Sequence, residues 1–375
     1  MKTSFGKKAA GARLERMKGS PRWADGAFKN QHPILPQLKT GVAMPPLREF
    51  ICGGVRRVPA ASLPAVDPRA SWLKPPETGL RATWLGHSTL LLEVDGVRVL
   101  TDPVWGERAS PVSIAGPKRF LPVPVPIDAL PPIDAVIVSH DHYDHLDYPT
   151  ILELAKLPVP FVTSLGVGAH LESWGVAPER ITELDWWESV AIAGGRGTIS
   201  AAPSQHFSGR GLGSRNGTLW SSFVVRGERH SAFFSGDTGL TTEYGAIREK
   251  LGPFDLVMLE VGAFHPAWAD IHLGPENALE ALSLLGGGTF LPIHWGTFNL
   301  ALHEWDEPAE VLLSQAPQRS VTLAMPRVGE SIEPARLETV TPWWRAVAAL
   351  EKKGEPPPAA EPAALAEGSI QWPID

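Results

Sequence analysis

Residues 133–145 read IDAVIVSHDHYDH, an apolar run followed by seven residues that hold three histidines and two aspartates. The spacing and β-branched content of 134–139 predict a buried strand, and the charged cluster begins where that strand ends. Titratable groups crowded beside a buried strand cost stability unless a cation pairs them, so the cluster reads as a metal-binding segment. His140 and His142, at i and i+2 of an extended strand end, project to one side. The turn that follows carries Asp144 and His145 to a neighbouring point, so one segment supplies two ligands to each of two adjacent ions.

Three further residues fall just past apolar strands: His206 after ISAAPSQ, Asp237 after AFFSG and His294 after TFLPI. Layered α/β folds collect their sites at the C-terminal ends of strands. Adding His206 to His140 and His142, and His294 to Asp144 and His145, with Asp237 bridging, completes a dinuclear set of nitrogen and oxygen ligands. Such a set leaves positions open for water, as a catalytic zinc site requires. The chain has one cysteine, Cys52, which excludes a disulfide framework and a thiolate cluster. Two Zn²⁺ ions are expected, with Mn²⁺ or Fe²⁺ as alternatives. The isolated histidines His32, His170 and His230 read as ordinary surface or core residues.

Outward from these ligands, TLLLEV and VRVLTD flank Asp95-Gly96 and predict a hairpin with a primed turn. Further strands are expected at 160–164, 197–202, 219–226, 231–235, 255–260 and 289–293, and helices at 148–156, 168–174, 241–251 and 275–285. The fold class is α/β with mixed sheets. Residues 1–75 read as an N-terminal extension packing on the core, 76–348 as the main domain, and 349–375 as a Pro/Ala-rich tail. Residues 103–132 form a long loop with eight prolines. A formal charge of -7 argues against nucleic-acid binding. No secretory h-region or membrane-spanning run is present, which leads to a cytoplasmic expectation. Six of the first eighteen residues are basic; a solvated tail is the favoured reading, and a weak contact with an anionic membrane surface is the alternative.

At this point the sequence resembles a known family. SHDHYDHLD, GDTG and PIHWGTF, together with TWLGHSTLLLEVDGVRVLTDPVW, GPKRF, ELDWWE and PWWR, are similar to the metallo-β-lactamase-fold hydrolases. In particular they resemble the branch of N-acyl-phosphatidylethanolamine phospholipase D and the UlaG-like lactonases. The resemblance implies a four-layer αβ/βα sandwich with two mixed β-sheets and two zinc ions at one edge. It implies the same ligand partition, with Asp102 as a buried acid supporting the metal loop and His87 in a similar supporting place. It implies a phosphodiesterase of the phospholipase D type, with a UlaG-like lactonase or other ester hydrolase as the alternative. A di-iron redox enzyme of this fold would carry Glu where His142 stands.

The expected mechanism uses a hydroxide held between the metals as nucleophile, with Asp144 orienting it or taking its proton. His272 precedes a helix that opens at Pro275, and the resemblance puts a histidine there in the substrate cleft; it is assigned a stabilising or general-acid role. The substrate is expected to be a small or lipid-like anion. Arg210 and Arg215 are candidates to grip it, and His265 and Trp268 stand where the chain reads EVGAFHPAWADIH and departs from the phospholipase pattern.

Overall fold

A computed structural model of the protein describes residues 3–34, 56–211, 213–265 and 271–351. Cys52, Trp268 and the tail from 352 onward lie outside the described residues. A short ribbon, β1 (Trp23–Ala24) and β2 (Ala27–Phe28), precedes the main strands. One sheet of seven strands contains β3 (Leu80–Gly86), β4 (Thr89–Val94), β5 (Val97–Thr101), β6 (Ala135–Val138), β7 (Phe161–Ser164), β8 (Ile181–Leu184) and the late β15 (Ser331–Ile332), in the order β15-β3-β4-β5-β6-β7-β8. A second, of six, contains β9 (Ser189–Ile192), β10 (Gly197–Ala202), β11 (Ser222–Arg226), β12 (Ser231–Phe234), β13 (Leu256–Glu260) and β14 (Thr289–Ile293), in the order β14-β13-β12-β11-β10-β9. Both sheets mix antiparallel and parallel pairs.

Alternation along the strands explains the layering. Leu90 and Leu92 of β4, Val97 and Val99 of β5, and Ala135 and Ile137 of β6 face the large core shared with the second sheet. Leu91, Leu100, Val136 and Val138 face the other way, onto Ile151, Leu154 and Leu171 of the helices Tyr148–Leu154 and Gly168–Ser173. The helices Glu243–Leu251, Gly274–Leu284 and Glu307–Gln315 join the large core through Ile247, Leu279, Leu282 and Leu312 on the second sheet's side. Each of these buried aliphatic side chains contributes about 1.5–3 kcal/mol of transfer free energy. The result is the helix–sheet–sheet–helix sandwich expected from the sequence.

The turn between β4 and β5 is of the primed kind, with Asp95 at φ +48° and Gly96 at φ +82°. Residues 103–132 run almost without regular structure, as expected, apart from a 3₁₀ turn at Ile127–Ala129 and the isolated bridges Arg108–Lys118 and Arg119–Phe298. The N-terminal segment is more ordered than its sequence suggests: Gly11–Lys18 is helical. Met17 and Phe28 close a small core with Leu165, Trp186, Leu219 and Trp220. Its basic residues face carboxylates of the core: Arg13 lies 2.7 Å from Glu172 and 2.6 Å from Glu183, and Arg16 lies 2.5 Å from Glu188. Among the described residues, no helix is long and apolar enough to cross a membrane.

Candidate metal centre

Strand direction brings the polar residues together. β3, β5 and β6 run in one direction within their sheet, as do β10, β12, β13 and β14 within theirs. Their C-terminal ends deliver His87, Asp102 and His140 from one sheet, and His206, Asp237, Glu260 and His294 from the other, to one edge. Gly236 allows the two sheet ends to meet. It sits at φ +55°, and a Cβ there would stand 2.7 Å from Ser139 Cβ. Three non-glycine residues of the site, His87 (φ +52°), Asp102 (φ +31°) and His294 (φ +62°), hold left-handed backbone. Such conformations cost of order 1–3 kcal/mol each and persist where the surroundings dictate them.

Two nests of ligand atoms result. In the first, His140 Nε2 lies 2.9 Å from His142 Nδ1, and His206 Nε2 lies 3.2 Å from the same atom. Asp237 Oδ2 stands 3.8 Å from His140 Nε2 and 3.7 Å from His206 Nε2. In the second, Asp144 Oδ2 lies 3.3 Å from His145 Nε2 and 3.2 Å from His294 Nε2. Asp237 Oδ2 reaches this nest too, at 3.1 Å from His145 Nε2 and 3.2 Å from His294 Nε2. The seven residues are fully buried or nearly so. A tetrahedral ion with ligand bonds of about 2.0–2.1 Å has ligand–ligand edges of roughly 3.3 Å, the scale seen in both nests.

Tautomers test whether a cation fits. Ser139 Oγ donates to Asp102 Oδ2 (2.6 Å), so it accepts from His140 Nδ1 (2.9 Å). His145 Nδ1 donates to Asp102 Oδ2 (2.7 Å), and His206 Nδ1 to the Ile271 carbonyl (2.9 Å). With their protons on the outward Nδ1, the neutral rings of His140, His145 and His206 aim Nε2 lone pairs inward. Converging lone pairs beside Asp144 and Asp237 repel one another unless a positive charge lies between them. Neither oxygen of Asp237, nor Oδ1 of Asp144, accepts a hydrogen bond. The titration behaviour carries the same message. Burial disfavours charge on His145, yet Asp237 and Asp144 pull it well above the usual histidine range, and His294 is likewise raised to about 9. The donor set therefore suits hard-to-borderline divalent ions held by nitrogen and oxygen.

Asp102 accepts from Ser139 N–H (2.7 Å), Ser139 Oγ and His145 Nδ1, so it braces the metal segment from behind. Burial pushes its carboxyl up against these bonds. His87 Nε2 lies 2.9 Å from Asp144 Oδ2 and its ring packs on His294 with centroids 4.1 Å apart. Burial and the neighbouring His294 hold it down to about 3. His272 is buried with its ring 5.1 Å from His206 and 5.5 Å from His294, and its Nδ1 is 3.3 Å from Glu260 Oε1. Sequence reasoning missed Glu260 as a partner of this centre; its signal was a carboxylate terminating the otherwise apolar strand LVMLE.

Arg210 requires a correction. It is 2 % exposed, and its guanidinium donates to the carbonyls of Asp141 (2.6 Å), Leu146 (2.8 Å) and Ser4 (2.7 Å) while stacking over Tyr143 at 4.0 Å. It ties both ends of the metal segment to the N-terminus and has no donor directed at a substrate. Arg215 differs: it is exposed, with its guanidinium 4.6 Å from the Phe207 ring that itself packs on His142. His265 is half-buried, five residues ahead of Asp270, and Trp268 lies outside the described residues.

Residues 97–295 match the family described as the Beta-lactamase superfamily domain. An uncharacterized protein of Mycobacterium tuberculosis is 45% identical over 331 residues, covering 87% of this chain and 88% of that one. The N-acyl-phosphatidylethanolamine-hydrolyzing phospholipase D 1 of Caenorhabditis elegans is 41% identical over 239 residues, 61% of this chain and 67% of its own. Among solved structures, an isothiocyanate hydrolase from Delia radicum gut bacteria superposes with a TM-score of 0.53 at 24% identity, covering 68% of this chain and 98% of that one. This last likeness concerns the fold.

Proposed function

Because the chain belongs to the β-lactamase superfamily, we propose that it is a metal-dependent hydrolase with two zinc ions, acting as a phosphodiesterase of the N-acyl-phosphatidylethanolamine phospholipase D type. The observation that carries the dinuclear reading is Asp237. Its Oδ2 stands between the two nests, within 3.1–3.8 Å of four histidine nitrogens, and accepts no hydrogen bond. The phosphodiester reading rests on the likeness to the Caenorhabditis elegans phospholipase D over 239 residues.

His140, His142 and His206 would hold one ion, Asp144, His145 and His294 the other, and Asp237 both. Bound there, divalent ions lower the pKa of water and polarise an ester or phosphoryl oxygen. The chain's own groups do the rest. Asp144 uses Oδ2 toward His87, His145 and His294, leaving Oδ1 as the acceptor able to orient a water or take its proton. His272, whose Nδ1 is 3.3 Å from Glu260 Oε1, would stabilise or protonate the leaving oxygen. Burial of the seven ligand residues keeps competing water out and strengthens each of these interactions.

The test is a screen of zinc-loaded protein against bis(p-nitrophenyl) phosphate, simple lactones and a phosphatidylethanolamine derivative. Cleavage of the phosphodiesters is expected; activity on lactones alone would replace this reading with the ester-hydrolase alternative. Metal analysis should give two ions per chain after reconstitution, and one ion under excess zinc would refute the dinuclear site.

A further inference from the structure

His206 stands on irregular chain beyond β10, whose last ladder pair is Ala202 with Ser222. In a strand the N–H and C=O of a residue are met by a neighbouring chain; past the ladder they need another partner. The two residues before His206 find theirs on the loop that carries Asp237. Ser204 Oγ donates to the Asp237 carbonyl (2.6 Å), and Gln205 N–H to Thr238 Oγ1 (3.0 Å). At His206 the grip comes from the N-terminal segment. The half-buried Asn30 donates through Nδ2 to the His206 carbonyl (2.7 Å) and accepts the His206 N–H at Oδ1 (3.1 Å). Oδ1 also accepts from Trp220 Nε1 (3.1 Å). Two donors therefore meet the amide oxygen and a carbonyl meets its NH₂, which fixes the way the carboxamide faces.

We infer that Asn30 is a positioning residue of the metal centre: by holding both backbone groups of His206 it sets where that ring's Nε2 stands, so a segment ahead of the family-matched residues 97–295 completes the first nest. The far side of the ring is already pinned, Nδ1 to the Ile271 carbonyl at 2.9 Å, so a backbone shift at His206 passes directly to Nε2. Ligand distances in a metal site tolerate only about 0.2 Å. The same segment reaches the nest's other ligand stretch. The Ser4 carbonyl accepts from Arg210 (2.7 Å), and Lys7 N–H donates to His170 Nδ1 (3.0 Å), whose Nε2 lies 3.4 Å from Asp141, the residue between His140 and His142. Supports of this kind are worth roughly 10–100-fold in metal affinity. By reciprocity, the factor that docking of Asn30 adds to zinc affinity is the factor that zinc adds to the docking. The inference rests on the two-zinc reading for the ion that occupies the first nest.

The experiment compares full-length Asn30→Ala with Arg13→Ala, which breaks the ion pairs to Glu172 (2.7 Å) and Glu183 (2.6 Å) and so loosens the same segment away from His206. Three quantities are read for each: zinc affinity by chelator competition, stability of the metal-free protein by urea unfolding, and trypsin cleavage after Lys18 or Arg22 with and without zinc. Asn30→Ala is expected to weaken one zinc about 10–100-fold and leave the other unchanged. Zinc should slow the cleavage in wild type and in Arg13→Ala, and fail to do so in Asn30→Ala. Unchanged zinc affinity in Asn30→Ala overturns the inference, as does equal weakening of both ions or the same weakening in Arg13→Ala. Asn30→Asp stands in if the alanine variant does not fold. It keeps the acceptor, loses the donor to the His206 carbonyl and adds a negative charge that alone would favour zinc, so selective weakening is again expected and unchanged or tighter binding overturns the inference. A wild-type protein that holds a single zinc refutes the two-zinc reading, and Asn30 is then judged on that ion: weakening by Asn30→Ala sustains the inference, and unchanged affinity overturns it.

Discussion

Asp102→Asn changes one atom in a fully buried group and tests how the metal segment is held. The carboxylate accepts three hydrogen bonds, from Ser139 N–H, Ser139 Oγ and His145 Nδ1. The amide keeps the first through its oxygen but turns an NH₂ toward the other two donors. Two bonds to a charged acceptor at about 1.5–3 kcal/mol each are lost, so the metal-free protein should lose about 3 kcal/mol or more. His145 then has no acceptor to hold its proton on Nδ1, and Nε2 ceases to be a reliable lone pair. Supporting groups of this kind are worth roughly 10–100-fold in metal affinity. Chelator competition monitored by metal analysis reads the affinity, and urea unfolding of the metal-free protein reads the stability. Ser139→Ala, which removes only the hydroxyl, should fall between wild type and Asp102→Asn. Wild-type zinc affinity in Asp102→Asn would refute the reasoning that Asp102 sets the His145 tautomer.

Gly236→Ala forces a Cβ to 2.7 Å from Ser139 Cβ on backbone at φ +55°, so a loss of about 1–3 kcal/mol is expected in urea unfolding, against near-neutral Gly245→Ala, where a Cβ meets nothing within 4 Å. Arg210→Lys cannot span the carbonyls of Asp141, Leu146 and Ser4 at once, so it should destabilise by about 3 kcal/mol and speed zinc loss to chelator, whereas a substrate-gripping role would raise KM alone. Burial holds His303 down to about 4 while the unfolded ring titrates near 6.5. Between those values the unfolded chain binds the extra proton, so this group's contribution to stability falls as pH drops from 6.5 to 4. The full loss would be about 3 kcal/mol by linkage, less here because His303 keeps some surface, and His303→Phe should flatten that part of the pH–stability curve.

The parts of this protein written into short stretches of chain were legible in them. Asp95-Gly96 between two apolar runs encodes its own turn, and the strand ends before His140, His206, Asp237 and His294 can be read because period and punctuation are local. The strands Ile181–Leu184 and Ser189–Ile192 are harder to read because each is four residues long and only its last residue is buried. Arg210 was misjudged because a loop arginine beside a metal ligand looks like an anion grip. Its true partners are carbonyls 64 to 206 residues away in sequence, which no local pattern announces. His170 was set aside as ordinary, yet its Nδ1 accepts from Lys7 N–H (3.0 Å) and its Nε2 lies 3.4 Å from Asp141 beside the metal segment. Glu260 and Ser139 belong to the same class: their roles exist only once the sheets have met.

The ligand atoms come from both halves of the sandwich. The β6 end carries His140, His142, Asp144 and His145; the second sheet carries His206, Asp237 and His294. Neither half alone encloses a nest. An ion seated between them would act as a rivet across the seam of the sandwich, coupling metal occupancy to the closure of one sheet on the other. Stripping metal from such a seam would loosen it, and a chain that had failed to close its halves would hold metal poorly.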